Sequence, residues 1–147
     1  MVVRRKDKEI RDRAEIEEIL REATVCRIGM CDDGVPYCVP MNYCYRDGVI
    51  YLHSAREGRK LDILRRNNVV CFEVDISAGL IMSGRPCEWS MRYRSVIGIG
   101  RAYFVDDLEE KREALRCIVA HYSPESADYD FTDEELESVI VIRIEIE

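Results

Sequence analysis

A chain of 147 residues with 47% hydrophobic content has the size and composition of one compact domain, able to bury roughly two-thirds of its unfolded surface without a stapling metal or disulfide. Its formal charge of −7 argues against a general nucleic-acid binder, which needs a net basic face to displace counterions from phosphates. The charged N-terminus and the lack of any apolar run approaching about 18 residues argue against a signal peptide and a membrane helix, so a soluble cytoplasmic protein is expected.

The basic cluster Arg4, Arg5, Lys6 and Lys8 reads as a solvated terminal segment. From Asp12, the residues Ile16, Ile19, Leu20 and Ala23 recur at helical spacing among glutamates and arginines, which predicts an amphipathic helix over 12–22 covering a sheet. Residues 25–30 form a short apolar run, Asp33-Gly34 is a turn signal, and 35–45 is rich in aromatic and β-branched residues, so a hairpin follows. Pro36 and Pro40 cannot donate to a ladder and belong at a strand start, an edge or a bulge; Pro40 predicts a break in pairing. Asp47-Gly48 turns into a strand over 49–53, and the three strands read as an antiparallel meander.

Residues 57–67 read as a short helix with Leu61 and Leu64 inward, and 69–74 as a returning strand. The stretch 77–92 has no clean period and holds Gly79, Gly84 and Pro86; long irregular stretches in compact domains are more often functional than idle. A long strand over 93–105 bends at Gly98 and Gly100, a helix over 107–121 starts behind Asp106 and Asp107, and a short helix near 133–137 precedes a terminal strand with one buried face. About six strands against three or four helices, mostly antiparallel, favour a mainly β, α+β barrel in one domain over 1–147 rather than a parallel α/β fold.

The seven cysteines lie mostly in apolar runs with no Cys-x-x-Cys pair and read as buried small hydrophobes in a reducing compartment. With two histidines and no metal-ligand spacing, no metal site is expected.

Three stretches can carry chemistry. From Tyr51 through His53, Ser54, Ala55, Arg59 and Lys60, a strand end leads through a small-residue turn into a basic helix. A helix start offers open amides, Ser54 a hydroxyl, and Arg59 and Lys60 full charges, which together suit a phosphate dianion. A solvated helix face would explain the same residues. In Val39-Pro40-Met41-Asn42, a locally interrupted strand could hydrogen-bond the polar edge of a flat ring, or simply be an edge strand with a bulge. Trp89 with Arg92, Tyr93, Arg94 and Ser95 fits an interface or a planar ligand, against packing of the tryptophan in the core.

Taken in order, Arg4-Arg5-Lys6, Pro36-Tyr37-x-Val39-Pro40-x-Asn42, Ile50-Tyr51-x-His53-Ser54-Ala55-x-x-Gly58-x-Lys60 and Tyr93-Arg94-Ser95-Val96-Ile97-x-x-Gly100-x, the last ending at Arg101, resemble the flavin mononucleotide (FMN)-binding split-barrel superfamily of pyridoxamine 5′-phosphate oxidase, and within it the nitroimidazole-resistance branch. The resemblance implies a six-stranded antiparallel split β-barrel with flanking helices, working as a homodimer with FMN at the subunit interface. It implies that His53, Ser54, Ala55, Arg59 and Lys60 hold the phosphate and ribityl chain, and that the Val39, Pro40, Met41 and Asn42 backbone meets the isoalloxazine. Trp89, Arg94 and Ser95 would complete the site, with the partner subunit as one possible source, and His53 is the catalytic candidate. The implied activity is an FMN-dependent oxidoreductase acting on small acceptors such as nitroimidazole-type nitroaromatics. A non-catalytic flavin carrier or sensor, and a haem-binding relative using His53 or His121, are the alternatives. No substrate-phosphate cluster of arginine and histidine stands near the C-terminus, so oxidation of vitamin B6 itself is not expected.

Overall fold

The computed structural model describes residues 5–147; Arg4 of the N-terminal basic motif lies outside them. Helix α1 (Arg13–Glu22) begins where the Asp12 carboxylate accepts the Ala14 amide at 3.0 Å, an N-cap that satisfies one orphan donor of the first turn. Its Ile19 and Leu20 are buried, as the helical spacing predicts.

Seven strands follow: β1 (Cys26–Asp32), β2 (Val35–Met41), β3 (Tyr43–Arg46), β4 (Val49–Ser54), β5 (Val69–Ile81), β6 (Ser90–Val105) and β7 (Ile140–Ile146). They form one antiparallel sheet in the order β2-β1-β5-β6-β7-β4-β3. β2 and β3 occupy opposite edges, yet only Asn42 separates Met41 from Tyr43. Two Cα steps span at most about 7.6 Å, so the sheet must roll until its edges meet at that corner. The result is a barrel split along the β2/β3 seam.

This seam corrects three expectations. The region 35–45 is two strands rather than one, which raises the count from six to seven. The break falls at Asn42 and not at Pro40, which stays in register opposite Arg27; on an edge strand the missing proline donor can face the open side. Because β2 and β3 part company, the first strands form two hairpins at opposite ends of the sheet instead of a meander.

The irregular stretch 77–92 is also ordered differently. β5 and β6 extend past the barrel as a two-stranded ribbon with a register shift between Ser77 and Gly79, where Gly79 takes φ 106°. Residues 77–93 are exposed throughout, so no burial period was available to mark them as strand.

Helices α2 (Arg59–Arg66), α3 (Leu108–Tyr122) and α4 (Asp133–Ser138) complete the fold. One core fills the barrel: Ile28, Ile50, Leu52, Phe72, Ile142 and Ile144 meet Leu61 of α2 and Ile19 of α1. A second lies outside it, where Tyr51, Val105 and Val141 pack under Ala114, Leu115 and Ile118 of α3 and Leu136 of α4. This second core buries Val141 beside Ile142, so the first part of β7 is covered on both faces and not on one. Gly98 is fixed by packing: a Cβ there would lie 2.3 Å from the Phe72 ring.

The cysteine expectation is corrected too. Cys44 of β3 and Cys117 of α3 form a disulfide with Cα atoms 5.8 Å apart, and Cys31, Cys38 and Cys87 are exposed. Among the free thiols only Cys26 is fully buried. Among the described residues no helix is long and apolar enough to cross a membrane.

Candidate functional site at the junction of β4 and α2

Alternation along β4 sends Ile50 and Leu52 into the barrel and Tyr51 outward beneath α3. Ser54 therefore ends the strand pointing inward, and His53 outward, opposite Val141 of β7. His53 Nδ1 and Ser54 Oγ are both buried without a hydrogen-bond partner. Leaving a buried polar atom unpaired costs about 1–3 kcal/mol, so each of these two atoms favours a polar partner from outside the chain. Burial, and secondarily the nearby Lys60 charge, hold the His53 pKa below its ordinary value. The imidazole is consequently neutral at neutral pH, with one ring nitrogen donating and the other accepting.

After the strand, Gly58 takes φ 139°, a left-handed conformation that side chains disfavour. Its carbonyl receives the Leu61 and Asp62 amides at 2.9 and 3.3 Å, and no side chain caps the helix. The first amides of α2 are thus left open toward the turn, at the positive end of the helix dipole. Lys60 is half-buried and lines a cavity of about 10 Å³ with Val39 and Met41 of β2 and Leu52 of β4, room for roughly one water. Arg59 lies over the Tyr37 ring at 4.5 Å. Ala55 is exposed in the turn.

The predicted residues thus fall into two groups. At the junction Lys60 shares its small cavity with Val39 and Met41 and Arg59 lies over Tyr37, with Ser54 facing inward, His53 outward and Ala55 in the turn, while Pro40 and Asn42 stand exposed at the seam. β2 is an edge strand, so one side of its backbone is unpaired. Trp89, Arg94 and Ser95 are elsewhere. The Trp89 indole donates to the Ser83 carbonyl at 3.0 Å in the exposed ribbon, which removes the alternative of core packing. Arg94 pairs with Glu22 at 3.0 Å and Glu18 at 3.7 Å on α1, and Ser95 faces Asp75. The residue of β6 level with His53 is Val105, across β7, about 33 Å along the strand from Ser95.

His121 has a structural post. Its Nε2 lies 2.8 Å from the Ala23 carbonyl, which can only accept, so Nε2 carries the proton and donates. Tyr122 Oη donates to Thr24 O at 2.7 Å and accepts the Tyr43 amide at 3.1 Å. These bonds tie the end of α3 to the end of α1 and to β3. On β7 the single arginine, Arg143, is engaged by Glu110 and Glu145. Sequence reasoning missed Tyr37 as the platform for Arg59; its place beside Pro36 in the quoted motif was the available signal.

The sequence profile described as pyridoxamine 5′-phosphate oxidase matches residues 12–147. Among solved structures, a candidate 5-nitroimidazole antibiotic resistance protein from Bacteroides thetaiotaomicron is 37% identical, with 94% of this chain and 81% of that chain covered and a TM-score of 0.81. An FAD-binding protein from Mesorhizobium loti is 26% identical over 93% of this chain and 91% of that one, TM-score 0.64. An FAD- and haem-binding protein from Mycobacterium smegmatis shares the fold at TM-score 0.86 and 19% identity, covering 95% of this chain and 69% of its own. None of the curated protein sequences matches the chain.

Proposed function

The chain belongs to the pyridoxamine 5′-phosphate oxidase family, and from that premise we propose that it is an FMN-binding oxidoreductase whose phosphate site is the junction of β4 and α2. The observation that carries the reading is the unpartnered buried Ser54 Oγ beside an uncapped helix start that carries Lys60. Lys60 and the first amides of α2 would neutralise a phosphate, Ser54 Oγ would donate to it, and the open edge of β2 at Val39 to Asn42 would meet the ring by its backbone. When bound, FMN supplies one- and two-electron transfer at its ring.

His53 then has a defined task. Kept neutral by burial and by Lys60, it can hold or accept a proton beside the cofactor without adding charge. Trp89, Arg94 and Ser95 would reach this site from a second copy of the chain. The exposed apolar face of β5 and β6, with Tyr93 59% and Ile97 51% exposed, supports a homodimer through that face.

The acceptor we propose is a small nitroaromatic of the nitroimidazole class, supported by the similarity to the Bacteroides protein. Anaerobic titration of the flavin-loaded protein with reduced pyridine nucleotide, followed by a nitroimidazole, tests it. Bleaching of the flavin and its return on adding the acceptor are expected; bound flavin that neither bleaches nor turns over would reduce the protein to a flavin carrier. Haem ligation through His121 is disfavoured, because Nε2 is bonded to Ala23.

A further inference from the structure

We propose that the groove where β6 meets α3 is a second binding site, for a small amphipathic carboxylate, with Lys111 as its anchoring cation. Its ligand is argued apart from the flavin reading, although Arg56 reaches it from the turn between β4 and α2. The groove has a volume of about 690 Å³, within the range of small-molecule sites. About half of its wall is apolar, from Phe104, Leu108, Val139 and Ile140, and the rest is charged.

Lys111 is the unusual element. It is 8% exposed, and its Nζ donates to the Val139 carbonyl at 2.9 Å. An ammonium group can donate more than once, and among the described residues no carboxylate comes within ion-pair distance of it. Facing the groove with one protein acceptor, the ammonium keeps donors free for an anion. The groove supplies the route to it.

Charge on the lining sets the ligand class. Arg56, Arg65 and Lys111 stand against Asp106 and Glu137, three cations to two carboxylates. Arg65 is partly spoken for, paired with Asp62 at 3.1 Å and lying over the Phe104 ring at 5.6 Å. The small positive excess suits a singly charged head; a phosphate dianion would meet the two acidic side chains. The apolar half of the wall then favours a short hydrocarbon tail, which inorganic anions lack.

Octanoate is the probe. Titrated into the purified protein and followed by calorimetry and by backbone amide shifts, it should bind saturably, one per chain, moving Leu108, Lys111, Val139 and Ile140. Lys111→Met should weaken it about tenfold or more, the scale of a lost charge-assisted contact, while octanol binds both proteins equally weakly. Because Lys111 also holds the end of α4, Leu108→Trp at the exposed rim serves as the second variant; it keeps the ammonium and should block the groove. Lys60→Ala should leave octanoate binding unchanged, which separates this test from the flavin one. Absence of saturable octanoate binding to the wild-type protein, equal affinity in the variants with altered groove residues, octanol binding as tight as octanoate, or inorganic phosphate competing as well as octanoate would each overturn the proposal.

Discussion

His53 combines a half-buried ring, an unpartnered Nδ1 and a pKa lowered first by desolvation and then by Lys60. The sign of its contribution to stability follows. As pH falls below the ordinary histidine value of about 6.5, the unfolded chain takes up a proton that the folded chain refuses until its own lower pKa is reached, so stability falls across that window and is fully present above it. In cofactor-free protein, His53→Gln should therefore show a flatter decline of the urea midpoint between pH 7 and pH 5 than the wild type; equal slopes would mean that the ring is not held neutral by the fold. At this scale the site was partly legible. A strand end, a glycine and two basic residues in a row announce a helix start, and α2 begins there after Gly58 with no side-chain cap. Arg94 was not legible as a local residue: Glu22, which claims it, is 72 residues away, and only the packing of α1 on β6 brings them together.

The elements show the same divide between local and distant causes. Helices α1, α3 and α4 start at Asp12, Asp107 and Thr132, each of which accepts an amide of its own first turn, and such caps are written in the sequence beside the helix they begin. The strand at 35–45 was misread because nothing local to Asn42 says that its two sides leave for opposite edges of a sheet. The ribbon of β5 and β6 was missed because burial period is the signal for a strand, and a strand exposed on both faces carries none. The bond between Cys44 and Cys117 spans 73 residues, and spacing cannot reveal such a pair. It clamps β3 to α3 over the outer core. Thiol titration of the denatured, unreduced protein should find the five free cysteines, rising to all seven after reduction. Cys117→Ser should cost about 2–4 kcal/mol, typical for opening a loop of this size; seven thiols without reduction, or an unchanged denaturation midpoint, would contradict the clamp.

At the scale of the molecule, closing one sheet on itself leaves two features that the barrel does not use internally. One is the apolar outer face of β5 and β6, which extends to the ribbon. Ile97→Glu places a charge in that face and should convert a dimer to a monomer by light scattering, with flavin affinity falling alongside if the partner supplies Arg94 and Ser95. A wild-type monomer, or a dimer untouched by the substitution, would remove the partner from the site. The other is the junction at the end of β4, where the inward, unpartnered Ser54 Oγ precedes an uncapped helix start that carries Lys60. Comparing FMN with riboflavin, which has the same ring and sugar alcohol but no phosphate, isolates that junction. Calorimetric titration of both into cofactor-free wild type and Lys60→Ala should give FMN binding at least tenfold tighter than riboflavin, with the variant losing several-fold for FMN and little for riboflavin; equal affinity for the two flavins, or a variant that binds FMN as tightly as the wild type, would contradict it.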